Sequence, residues 1–211
     1  MVKKLLHRLT GQRAEPAPEA QDSGYFTTQF LEREGDQRLV SWRERCAQLQ
    51  AQPLDRARGE ALVAQVWAGD RHAGSLGPAG LQGLTGYLDF FTVPSDCEVI
   101  TQDEQGDYLL IVLEGTLAVD RVQPWGGRAR LGEARAGDML GEMSLLDAGT
   151  RFSACRTLGP CTLAVLEAPA LDRMMRDDAR LAAALLAALA RRLSLRLRQV
   201  SARLGALLTQ D

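Results

Sequence analysis

The chain has 211 residues, with 25 Lys and Arg against 27 Asp and Glu, so it holds one domain with extensions or at most two small ones. Its net charge of −2 gives no bulk attraction to nucleic acid or anionic lipid. No stretch reaches the roughly 18 consecutive apolar residues of a membrane span, and residues 1–9 are too short and too charged for a secretory signal, which points to a cytoplasmic protein. Cys46, Cys97, Cys155 and Cys161 have neither CxxC nor metal-ligand spacing, so free, mostly buried thiols are expected, with no disulfide and no metal.

Residues 1–24 read as a disordered leader: residues 10–24 are polar, contain Pro16 and Pro18, and lack any apolar period. Residues 25–79 form an N-terminal helical region. Phe26 and Phe30 sit four apart, and Leu39, Trp42, Cys46 and Leu49 recur at three and four. A further helix is expected to start at Asp55, an N-cap type, with Leu62, Val63, Val66 and Trp67 on one face. Pro78 opens a short helix holding Leu81, Leu84 and Leu88. These faces need cover from the following domain or a second subunit.

Residues 80–168 change texture to short apolar runs bounded by turns. Strands are expected over 89–93, 98–101, 108–114, 116–122, 128–133, 153–157 and 161–167, the spacing of a sandwich or barrel. The fold class is therefore α+β, an antiparallel, jelly-roll-like β-roll with N-terminal helices and a long C-terminal helix. The run Pro124-Trp125-Gly126-Gly127 marks a hairpin tip, where Trp125 folds back on the roll or stands out as an anchor.

Residues 169–211 read as lid and dimerisation helices, with Pro169 opening a short helix and a longer one over 179–208. Within the latter, Leu186, Ala190, Leu193, Leu197, Val200, Leu204 and Leu207 alternate in steps of four and three. This a/d seam predicts a parallel homodimer through the C-terminal helix; the competing reading packs the seam on the chain's own roll or N-terminal helices. Arg191, Arg192, Arg196, Arg198 and Arg203 make the helix basic, either as a solvated face or as a dock for an acidic partner.

The most informative segment is Gly141-Glu142-Met143-Ser144-Leu145-Leu146-Asp147-Ala148-Gly149-Thr150-Arg151-Phe152-Ser153-Ala154. A glycine admits close backbone approach, and the helical turn after it offers the amides of Met143 and Ser144 to a phosphate. Arg151 supplies an always-charged planar fork, while Glu142, acceptor-only, suits a ribose hydroxyl. Phe152 and Ser153 complete the candidate ligand-binding set.

This segment resembles the phosphate-binding cassette of the cyclic-nucleotide-binding domain, the module of the bacterial catabolite activator and of protein kinase A regulatory subunits. Gly141, Glu142, Ser144, Leu145, Leu146, Arg151 and Ala154 fit the pattern; Thr150 stands where proline is common and Phe152 where a small residue is. The stretches 105–115 and 136–140 resemble the family's entry to the pocket and its lead into the cassette, so the likeness covers about residues 80–205.

The resemblance implies a regulatory receptor for cAMP or cGMP, not an enzyme, signalling by helix rearrangement to an effector protein the sequence does not name. It makes Arg192 and Arg196 candidate lid residues, Arg196 taking the place of a base-contacting threonine. Only three residues follow Leu208, where the family's transcription factors carry a helix-turn-helix, so no direct DNA binding is expected by that route. Arg151→Ala is expected to abolish binding and leave the fold nearly unchanged.

Two other readings stand beside this one. In a ligand-free dimerisation scaffold Glu142 and Arg151 merely pair with each other, and a cyclic di-GMP-responsive module would keep Arg151 and add guanine contacts. A metal-dependent cupin, the other β-roll class, needs clustered histidines; His7 and His72 both lie outside the roll.

Overall fold

Six successive apolar residues at 108–113 need cover on both faces once extended, because alternate side chains of a strand point opposite ways. The computed structural model of the chain, which describes residues 24–32, 38–68 and 76–208, meets that demand with two layers. In chain order the elements are α1 (Tyr25–Glu32), α2 (Trp42–Leu49), β1 (Gln52–Pro53), α3 (Arg56–Trp67), α4 (Gly77–Thr85), β2 (Asp89–Val93), β3 (Glu98–Ile100), β4 (Tyr108–Glu114) and β5 (Thr116–Val122). They continue with β6 (Arg128–Arg135), β7 (Met139–Leu140), α5 (Glu142–Asp147), β8 (Ala154–Thr157), β9 (Cys161–Glu167), α6 (Ala168–Asp177) and α7 (Ala179–Leu208). All but residue 24 of the expected leader lies outside the described residues.

One sheet has the order β1-β2-β9-β4-β7 and the other β3-β8-β5-β6, with every pairing antiparallel, which is the expected α+β roll. Tyr108, Leu110 and Val112 of β4 point into the space between the sheets, where they meet Leu117, Ala134, Cys155, Leu163 and Val165. Leu109, Ile111 and Leu113 face the other way, into a core shared with the helices. That second core takes Phe26 and Phe30 of α1, Val63 and Trp67 of α3, Leu84 of α4, Leu171 and Met174 of α6, and Leu181 and Leu185 of α7. Helices α1, α3 and α4 therefore cover the same sheet face as the C-terminal ones, while Trp42 of α2 joins the core between the sheets.

Local chemistry sets the helix ends. Asp55 accepts a hydrogen bond from the Arg58 amide at 3.0 Å as the N-cap of α3, and proline sits in the first turn of both α4 and α6. Two strands go beyond the sequence reading: β1 and β7, of two residues each, are too short to show a period, and β1 tolerates Pro53 because it is an edge strand. Strand β6 runs two residues further than expected, to Arg135.

Helix α7 divides into two parts. Leu181, Ala182, Leu185, Ala188 and Leu189 are buried against the body. Past Ala190 burial falls off: Arg192 and Leu193 are half-buried, and Leu197, Val200, Leu204 and Leu207 are all more than half exposed. Of the seam residues, Leu186 packs on the chain's own helix-facing core, while the stretch after Arg196, about 18 Å at 1.5 Å per residue, is exposed along its length. Trp125 is 83% exposed at the tip of the β5–β6 hairpin, so it does not fold back.

Candidate ligand-binding cassette

Strand β7 ends in Gly141, whose φ of +79° is left-handed and which serves as the N-cap of α5. A Cβ at this position would run into the Arg151 guanidinium and lie 3.0 Å from the Tyr108 carbonyl, so glycine is required by space as well as by conformation. In the helical turn that follows, Glu142 and Ser144 are buried and Met143 is exposed. The amides of Met143 and Ser144 belong to the helix end that has no intrahelical carbonyl to bond. The α5 turn closes through Asp147, which accepts from the Gly149 amide at 2.8 Å.

Arg151 returns to the same place from the other end of the segment. Its Nη1 donates to the Gly141 carbonyl at 2.9 Å, its Nη2 to the Tyr108 carbonyl at 2.7 Å, and the guanidinium stacks 4.4 Å from the centre of the Tyr108 ring. The side chain is 1% exposed, and its Nε has no hydrogen-bond partner. Asp107, beside it, has a carboxyl pushed up by burial against the opposing pull of the Arg151 charge. Tyr108 is a site residue that sequence reading missed, since its place in an apolar run marks it only as core.

Glu142 does not pair with Arg151. Its Oε1 accepts instead from Arg196 Nη1 of α7 at 2.7 Å, while Arg192 Nη1, one turn earlier, donates to the Gly137 carbonyl at 2.9 Å. The two candidate lid residues thus both reach the cassette. Beneath them is a cavity of about 230 Å³ lined by Asp138, Met139, Glu142, Leu189, Arg192 and Arg196. Ligand pockets usually measure roughly 300–1,000 Å³, so this one is small.

Phe152 is half exposed, with the Arg121 guanidinium 4.1 Å over its ring and an Arg121 hydrogen bond to its carbonyl. Arg121, with Asp103 and Ala154, lines a second groove, of about 470 Å³, whose lining includes none of Phe152, Glu142 and Arg151. Ser153 is half-buried, two residues before the buried thiol of Cys155. Burial, followed by the charge of Glu142, pushes that thiol up to about 12 against the pull of Arg151, so it is neutral and unreactive at ordinary pH.

Residues 90–178, from β2 through the cassette to the end of α6, match the family model of the cyclic nucleotide-binding domain. This segment belongs to that family. The family binds cyclic nucleotides and is regulatory. The CRP-like cAMP-activated global transcriptional regulator of Mycobacterium tuberculosis is 31% identical over 116 residues, 55% of this chain and 52% of that protein. The chain spans about half the length of the curated relatives it matches. Among solved structures, a cyclic nucleotide-binding domain from Methylobacillus flagellatus is 26% identical with a TM-score of 0.66, over 72% of this chain and 86% of that one. The Thermus thermophilus catabolite activator protein is 25% identical with a TM-score of 0.57, over 67% and 62%. Among the described residues no helix is long and apolar enough to cross a membrane.

Proposed function

We propose that the chain is a cytoplasmic, non-catalytic receptor for cAMP or cGMP that signals to a protein partner by moving α7. The observation that carries this reading is the meeting of Glu142 and Arg151 at Gly141 without pairing to each other: Arg151 donates to the Gly141 carbonyl, and Glu142, the next residue, is held by Arg196 of α7. In a degenerate cassette these two charges have no reason to stay apart, so the arrangement supports a receptor over a scaffold. The Mycobacterium tuberculosis relative is described as cAMP-activated, which puts cAMP first.

In this reading Glu142 accepts from the ribose, and Arg151 and the first-turn amides of Met143 and Ser144 face the phosphate. Ser153 and Phe152 flank it, with Arg192 and Arg196 on the lid. The ligand enters by shifting a population in which α7 rests on the cassette, so its effect is bounded by its preference for the shifted state. The exposed seam of Leu197, Val200, Leu204 and Leu207 supports a homodimer through α7.

Isothermal titration of nucleotide-stripped protein with cAMP, cGMP and cyclic di-GMP tests the reading. Saturable binding of cAMP or cGMP at one per chain is expected. Silence toward all three makes the protein a scaffold, and binding of cyclic di-GMP alone replaces the ligand class.

A further inference from the structure

Arg151 is held from both directions along the chain. Its guanidinium rests on the ring and carbonyl of Tyr108, its own amide donates to the Glu104 carbonyl at 2.8 Å, and its carbonyl accepts from the Asp103 amide at 2.8 Å. The stretch 103–108 is therefore the bed on which the cassette arginine lies. A side chain that is 1% exposed has no water to fall back on, so its position is the position of that bed.

The same bed is gripped by residues 39–49. The Val40 amide donates to the Gln105 carbonyl at 2.8 Å, and Leu39 forms a bridge with Gln105. Trp42, 3% exposed, meets the Tyr108 ring edge-on with centroids 5.3 Å apart. One turn on, Arg45 of α2 is ion-paired to Glu104, with only 9% and 13% of the two side chains exposed. The second oxygen of Glu104 accepts from the Thr101 amide at 3.1 Å.

A buried ion pair gives little net stability over a well-packed apolar pair, because desolvation offsets most of the attraction; what it does supply is fixed geometry. Arg45–Glu104 supplies it at the residue whose carbonyl bonds the Arg151 backbone. Trp42 supplies it at the ring under the Arg151 guanidinium. We infer that residues 39–49 position Arg151 for the phosphate through Glu104 and Tyr108, so that nucleotide binding and the docking of this segment are thermodynamically linked. The inference rests on the cyclic-nucleotide reading above. Arg45, Trp42, Glu104 and Tyr108 are positioning residues in it and touch no ligand. Linkage is reciprocal, so the ligand must hold the segment down as firmly as the segment favours the ligand, which makes 39–49 an output element as well.

The test uses the full chain and the double variant Arg45→Met/Glu104→Gln, which removes both charges and leaves neither buried alone. Affinities for cAMP and cGMP are measured by titration, and amide hydrogen exchange over 39–49 is followed in the wild type with and without nucleotide. Nucleotide is expected to slow exchange over 39–49, and the double variant to bind about 5-fold or more weakly, a typical coupling between linked sites. Arg45→Lys, which keeps the charge, is expected to recover most of the affinity. If the wild type binds neither nucleotide, the receptor reading falls and takes this inference with it. If the wild type binds, but exchange over 39–49 is unchanged and the folded double variant binds equally well, the positioning role alone is wrong. The exchange measurement needs no variant, so a double variant that fails to fold does not remove the test.

Discussion

Arg196 of α7 donates to Glu142 at 2.7 Å, and this contact joins the exposed part of the long helix, two turns past Leu189, to the first residue of the cassette helix. Only 6% of the Glu142 side chain is exposed, against 55% of the Arg196 side chain. The carboxylate therefore depends on its partner far more than the guanidinium does. Arg196→Leu should lower the stability of the ligand-free protein by about 1–2 kcal/mol, the cost of a buried acceptor left without its donor, kept modest by the exposure of the arginine. Adding Glu142→Gln to that variant should restore most of the loss. Urea denaturation of the two variants checks this, and two losses that simply add would mean the pair is not coupled.

That contact joins residues 54 positions apart, and it shows where sequence reading reaches its limit. The apolar runs of β4 and β9, the cap at Asp55, the prolines of α4 and α6 and the helical period of α7 are local signals, and each became the strand or helix expected of it. Glu142 and Arg151 were legible as a pair of types at a spacing. Arg196 was legible as a lid candidate, though not as the partner of Glu142; Tyr108 was not legible, because it serves Arg151 through its carbonyl and ring face, and a carbonyl leaves no mark in the sequence. Gly106 was the available hint: a Cβ there would come within 2.7 Å of Arg151 Nη2.

Arg151→Ala illustrates the difference. The sequence reading expects lost binding with the fold nearly unchanged, but the side chain is 1% exposed and bonds two carbonyls. Truncation leaves the Gly141 and Tyr108 carbonyls without a charged donor and opens a void beside the Tyr108 ring. Stability should fall by about 2–4 kcal/mol along with the loss of nucleotide binding. Titration and denaturation are needed together. A variant of wild-type stability would show that the guanidinium does not occupy this buried position in solution.

The acidic cluster behind Arg151 gives a pH dependence with a definite sign. Asp107 is pushed up by burial, and Glu167 by burial and then by the charges of Asp107 and Asp89. A carboxyl raised in the folded state favours the protonated protein, so its contribution is fully present below the ordinary pKa, 3.8 for Asp107, and is lost as pH rises through the folded value. Asp107→Asn should therefore raise the melting temperature at pH 7, and the gain should vanish near pH 3. A variant less stable than wild type at neutral pH would mean that attraction to Arg151 outweighs burial.

The α7 overhang makes the oligomeric state testable. Leu197 is 67% exposed and lies in the middle of the seam, so a second copy is the simplest cover for it. Leu197→Asp places a charge in that seam without touching the body, whose helix-facing core ends at Leu189. Sedimentation should report a dimer for the wild type and a monomer for the variant at unchanged melting behaviour of the body. A variant that stays dimeric would assign the interface to the N-terminal helices.

Helix α1 is tied to α6 by a buried carboxylate. Asp172 of α6, 3% exposed, accepts from the Phe26 amide at 2.9 Å, from the Thr27 amide at 2.8 Å and from the Thr27 hydroxyl at 2.6 Å. It caps the first turn of α1 across 146 residues of chain, doing what a local N-cap side chain does elsewhere and adding the pull between a carboxylate and the positive end of the helix. Helix α1 in turn buries Phe26 and Phe30 in the core shared by α5, α6 and α7. Asp172→Ala strands all three donors, and about 2–3 kcal/mol of stability should go with them. Asp172→Asn keeps one acceptor oxygen and should fall between. Because the donors belong to α1 and the acceptor to α6, the loss should appear first as local release of α1: faster proteolysis around residues 24–32 under native conditions, before global unfolding. Cleavage rates there equal to wild type in Asp172→Ala would show that apolar packing of Phe26 and Phe30 alone keeps α1 in place.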